Sequence, residues 1–76
     1  MAELHLRNVR VVSPLETARR RAREDPRWKA AWAQLVAPDR ENETARSAHQ
    51  RRADALNRLH GVETFYQVAA GIPPGI

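Results

Sequence analysis

The sequence predicts a mainly α protein: a small three-helix arrangement, four-helix if residues 62–70 form one of their own, with an extended N-terminal arm and an extended Pro/Gly C-terminal tail. Three observations predict it. Two helix starts built on proline stand at Ser13-Pro14 and Asp25-Pro26. A seam of small residues, Ala45, Ala48, Arg52, Ala55 and Leu59, is spaced three, four, three, four. Strand-like alternation is confined to "AELHLRNVRVV" at 2–12 and "VETFYQV" at 62–68, and a lone two-stranded ribbon is marginal in water.

Residues 1–12 read as an extended arm or a bulged strand, because the alternation set by Leu4 and Leu6 slips phase at Asn8 and resumes at Val9. Pairing with a partner's sheet edge would satisfy its backbone; pairing with 62–68 is the intrachain alternative. The helical body then spans 13–61. Ser13 is a cap, Pro14 suits the first helical position and Glu16 stands where a capping box needs a carboxylate, so the first helix is expected from about 14 to 24. Asp25 and Pro26 start a second, expected to run to about 37, before Pro38. Across that junction the apolar stripe passes from Leu15, Ala18 and Ala22 to Trp28, Trp32, Leu35 and Val36, a rotation of roughly 90° at 100° per residue. A break at Pro26 is therefore expected in place of one straight rod.

The third helix is expected to begin between Asp39 and Asn42, either of which can cap, with Glu41 and Glu43 as first-turn acids. Gly61, after His60, is expected to close it in a left-handed cap. Residues 62–76 then hold either a short helix ended by Gly71, the favoured reading, or a strand. "IPPGI" forms an extended tail with Ile72 and Ile76 as apolar contacts.

Composition limits what such a chain does. Its 76 residues make one domain, 1–76, and chains of this size bury only about 60% of the surface their unfolded forms expose. Thirteen of the 32 apolar residues are alanine, leaving nineteen larger ones, and there is no cysteine to supply a disulfide or a thiolate metal site. Association with a protein partner, or with further copies of the chain, is the expected remedy. The apolar runs fall far short of the roughly 20 residues that span a bilayer, and the N-terminus lacks a signal-peptide core. A cytoplasmic protein, or one inside a virus particle, with no membrane contact is the expectation.

The formal charge of +4 is unevenly spread. Residues 1–18 and 30–76 each balance, so the whole excess lies in residues 19–29. Arg19, Arg20, Arg23, Arg27 and Lys29 are thus the candidate contacts for an acidic partner surface or for phosphate. Against them stands a solvated helix face, with Glu16, Arg20 and Glu24 at ion-pair spacing and Arg21 and Arg23 favoured near the helix C-terminus.

The candidate protein interface is Leu4, Leu6, Trp28, Trp32, Leu35, Arg52, Phe65, Tyr66, Ile72 and Ile76. Trp28 and Trp32, four apart, face one way; they are read chiefly as packing groups of a core or interface, with base stacking beside the cations as the rival. Arg52 interrupts the alanine seam, where it either lifts its charge to water or reaches a carboxylate across a helix interface.

Signals of catalysis are absent. His49 and His60 lie about 16 Å apart along one helix, His5 is remote in sequence, and no glycine-rich phosphate loop or nucleophile elbow is present. No enzyme, catalytic residue, metal, cofactor or small-molecule substrate is expected. The leading expectation is a small accessory or structural subunit of a larger assembly; a compact nucleic-acid binder, in keeping with a sequence pI near 11.0, is the alternative.

Overall fold

Both proline-started helices form where the sequence puts them. In the computed structural model, which describes residues 13–73, they are α1 (Pro14–Glu24) and α2 (Pro26–Val36), followed by α3 (Ala45–Ala69). No strand occurs among the described residues. The arm at 1–12, with Leu4 and Leu6, and Ile76 in the tail lie outside them.

The Ser13 hydroxyl accepts the Glu16 N–H at 3.1 Å and so caps α1. Asp25 then has an extended backbone, φ −71° and ψ 132°, which ends α1 and caps α2 in a single residue. The expected break is therefore present one residue before the proline. It turns the chain so that α1 packs against both α2 and α3, while α2 packs most extensively against α3. Side-chain bonds from Asp25 to Tyr66 and from Trp28 to Glu63 show that α2 and α3 run antiparallel.

Two expectations about α3 are corrected. Its cap is Thr44, whose hydroxyl accepts the Ser47 N–H at 3.0 Å, and not Asp39 or Asn42. Thr44 has the extended backbone of a cap, φ −73° and ψ 159°, immediately before Ala45, whereas Asp39 and Glu43 are engaged by arginines of α3. The second correction is Gly61, which does not end the helix: α3 continues for eight further residues to Ala69. A glycine inside a helix costs only about 0.5–1 kcal/mol relative to alanine. Continuation buries Val62 and brings Glu63 to Trp28 and Tyr66 to Asp25. Tertiary contacts beyond the glycine outweigh its weak breaking tendency.

The end of α3 is a Schellman closure around Gly71, whose φ is +78°. Ile72 N–H bonds Gln67 carbonyl at 2.8 Å, and Gly71 N–H bonds Val68 carbonyl at 3.0 Å. Residues 62–69 are thus helix, as favoured, and the strand reading falls. The two glycines should respond oppositely to alanine. Gly61→Ala, in open space with ordinary helical backbone, is expected to stabilise by about 0.5–1 kcal/mol. Gly71→Ala should cost about 1–2 kcal/mol, because a side chain is disfavoured at positive φ; thermal melts of the two variants check both signs.

What the helices bury is small. Among the described residues the buried apolar ones are Ala18, Ala22, Ala31, Ala48, Ala55, Leu59 and Val62. Five of these seven are alanines, and they include the Ala48–Ala55–Leu59 part of the seam read from the sequence.

Candidate interaction surface

At the join of α1 and α2, Asp25 is 8% exposed and both of its carboxylate oxygens are used. One oxygen, Oδ1, accepts the Arg27 backbone N–H at 2.8 Å and its Nε–H at 3.1 Å; Oδ2 accepts Arg27 Nη2 at 2.8 Å and the Tyr66 hydroxyl at 2.6 Å. The Arg27 side chain, followed by the Tyr66 hydroxyl, holds this carboxyl well below the usual carboxylate range. Tyr66 is raised in return, first by donating to Asp25 and then by desolvation. Arg27 is therefore the partner of an internal acid, which a reading of residues 19–29 as one free cationic run does not anticipate. Its guanidinium also lies 5.3 Å from the Phe65 ring centroid, and Phe65 meets Tyr66 edge-on at 5.3 Å.

A second clasp holds the other end of the α2–α3 pair. Arg51, half-buried, donates from Nε and Nη2 to the two oxygens of Glu43 at 3.1 Å each. It also donates to the Gln34 and Ala37 carbonyls, at the end of α2 where helical carbonyls lack partners. The Arg51 guanidinium holds the Glu43 carboxyl below its ordinary value. Next to it Arg52 reaches the carboxylate of Asp39 in the α2–α3 loop. The sequence points to Arg52 because it interrupts the seam; the more heavily used clasp is Arg51, one position away. Eight residues within one helix set side chains about 12 Å apart, so the pair is hidden once Glu43 is assigned to the helix itself.

The tryptophans part company at the surface. Trp28 is half-buried and donates its indole N–H to Glu63 at 3.2 Å. Trp32 stacks on it, ring centroids 5.4 Å apart and planes 11° from parallel, yet remains 46% exposed. Val36, one turn further along α2, is exposed, as are Leu56, Phe65 and Val68 of α3. Leu35 is half-buried, and Ile72 is half-buried beside the end of α3.

Of the cations, Arg19, Arg20, Arg23 and Lys29 are all exposed and occur in no ion pair of the described residues. The expected Glu16–Arg20 and Arg20–Glu24 pairs are likewise not among those ion pairs. The structure thus brings Trp28, Trp32 and Leu35 together on one helix, places Phe65 and Tyr66 beside Arg27, and sets Arg52 apart near the loop. Asp25, Glu43, Arg51 and Glu63 are the structural residues that sequence reasoning missed or gave a smaller part.

Among the described residues no group of three His, Asp or Glu side chains is arranged to hold a metal ion, and no helix is long and apolar enough to cross a membrane. A depression of about 360 Å³ beside the Arg51 clasp is lined by Glu43 and Arg51, already engaged with each other, by Asp54, which accepts from Gln50, and by Arg58. Comparison with protein families, with curated proteins and with solved structures finds no match for this chain.

Proposed function

We propose that the chain is a small, non-catalytic accessory or structural subunit, completed by association with a larger protein assembly such as an enzyme complex or a virus particle. It joins through the N-terminal arm, the tryptophan face and the C-terminal tail. One observation carries this reading: among the described residues, more large apolar side chains are exposed than are fully buried. Among the described residues the exposed large apolar set is Trp32, Val36, Leu56, Phe65 and Val68, and the buried apolar set contains only Leu59 and Val62 above the size of alanine. Single exposed apolar residues are normal on protein surfaces. Five large ones around so small a buried set are more than that, and burying such side chains against a partner contributes about 1.5–3 kcal/mol each.

The test is size under native conditions. Tagged at its own expression level, the chain is expected to elute from a sizing column far above its 8.7 kDa mass, before and after nuclease treatment. Elution as a free monomer contradicts the proposal.

A second reading, binding to nucleic acid, is favoured by one feature: Arg19, Arg20 and Arg23 share the outward face of α1. Titration with DNA and RNA at two salt concentrations separates the two. Affinity that falls steeply with salt and vanishes on charge reversal at Arg20 and Arg23 favours phosphate; weak binding at both salts favours the subunit.

A further inference from the structure

The two proline-started helices carry outward ridges of identical spacing and different chemistry. Away from buried Ala18 and Ala22, α1 presents Glu16, Arg19, Arg20 and Arg23, at offsets of three, four and seven. Away from buried Ala31, α2 presents Lys29, Trp32, Ala33 and Val36 at the same offsets, and all eight residues are exposed. The antiparallel register fixed by Asp25–Tyr66 and Trp28–Glu63 sets exposed Leu56 of α3 level with Leu35 of α2. An apolar strip two turns long, with a lysine at one end, therefore lies on the helix that follows an arginine ridge.

From this juxtaposition, and resting on the subunit reading above, we propose that the α2 ridge receives an acidic amphipathic helix of a protein partner. Its apolar side chains lie against Trp32 and Val36, and its carboxylates face Lys29 and the arginines of α1. Charge complementarity argues for the acid. Each of the three helices carries an excess of two positive charges, and three of the chain's carboxylates, Asp25, Glu43 and Asp39, are directed elsewhere, to Arg27, Arg51 and Arg52. Exposed residues at offsets of three, four and seven make the surface into which the ridge of another helix packs. A nucleic acid fits less well, since Val36 and Leu56 offer nothing to a phosphate backbone and Glu16 repels one.

The full chain, immobilised, can be panned against a displayed library of random-sequence peptides. Peptides with a net acidic charge and at least one large apolar residue should be enriched. Their affinity should fall about tenfold or more with Trp32→Ala and also with Lys29→Glu and Ala33→Glu. The last two alter exposed side chains with no side-chain hydrogen bond among the described residues, so unchanged circular dichroism keeps them informative if Trp32→Ala does not fold. Enrichment without acidic bias, or binding indifferent to Lys29→Glu and Ala33→Glu, overturns the proposal, as does displacement of the peptides by oligo-dT or poly-U at physiological salt. A chain that elutes within a large assembly but selects no acidic peptides loses this inference and keeps the subunit reading. A free monomer in native extracts loses the reading itself.

Discussion

Asp25→Ala should lower the melting temperature by about 10 °C or more, a large shift for a domain of this size. The reason is convergence. One carboxylate caps α2, fixes the turn from α1, pairs with Arg27 and accepts the Tyr66 hydroxyl. Its removal leaves the first N–H groups of α2 and a partly buried phenol without acceptors, and unsatisfied groups cost more than the bonds they replace. Tyr66→Phe removes a single arm of the network and should cost less. The pH dependence follows in sign. Asp25 is lowered on folding, so its contribution is fully present above the unfolded carboxylate pKa of about 3.9. It is lost as the pH falls below that value toward the depressed native one. Glu43 acts in the same sense. Tyr66 is raised on folding, so its contribution holds below about pH 10 and is lost as the pH rises through the native value. Melts followed from pH 2 to 5 should show a shallower acid limb in Asp25→Asn than in the parent, whatever the offset in absolute stability.

Arg51→Met should have an effect of comparable size at the opposite end of the α2–α3 pair. Methionine keeps much of the apolar stem and removes the fork that grips Glu43 and the last carbonyls of α2. Breaking a buried pair from one side leaves the other charge stranded, and the Glu43 side chain is 7% exposed. The melting temperature is expected to drop by about 10 °C, with frayed amides at residues 34–37 visible by hydrogen exchange. The double variant Arg51→Met, Glu43→Gln should recover part of the loss, because it removes the stranded charge along with its partner. Arg52→Met, at an exposed pair with Asp39, should change little, since exposed ion pairs contribute about 0–1 kcal/mol.

The contrast between Arg51 and Arg52 shows what the sequence discloses and what it withholds. Local rules placed the elements: Ser13 and Asp25 as caps, the prolines that follow them, the alanine seam and the break between α1 and α2 are properties of a few adjacent residues. The misplaced ends, Gly61 and the start of α3, are sites where distant contacts decide. Gly61 stays helical because Trp28 and Asp25 reach the turns beyond it. Asp39 and Glu43 serve arginines further along, and the helix starts after Thr44. The candidate surface divides in the same way. That Trp28 and Trp32 share a helix face follows from their spacing. Which indole is covered depends on Glu63, 35 residues away in the chain. Arg27 is the clearest case, since composition counts it with the free cations and geometry gives it to Asp25.

Calorimetry of the isolated chain over a hundredfold range of concentration is the most direct test of the central claim, that Trp32, Val36, Leu56, Phe65 and Val68 lack an internal home. An ordinarily packed 76-residue domain unfolds with an enthalpy of about 50 kcal/mol near 60 °C. The expected result is a broad transition of much smaller enthalpy that sharpens and rises in temperature as concentration or partner is increased. A sharp transition of full enthalpy from a monomer, with calorimetric and van't Hoff values equal and no dependence on concentration, contradicts it.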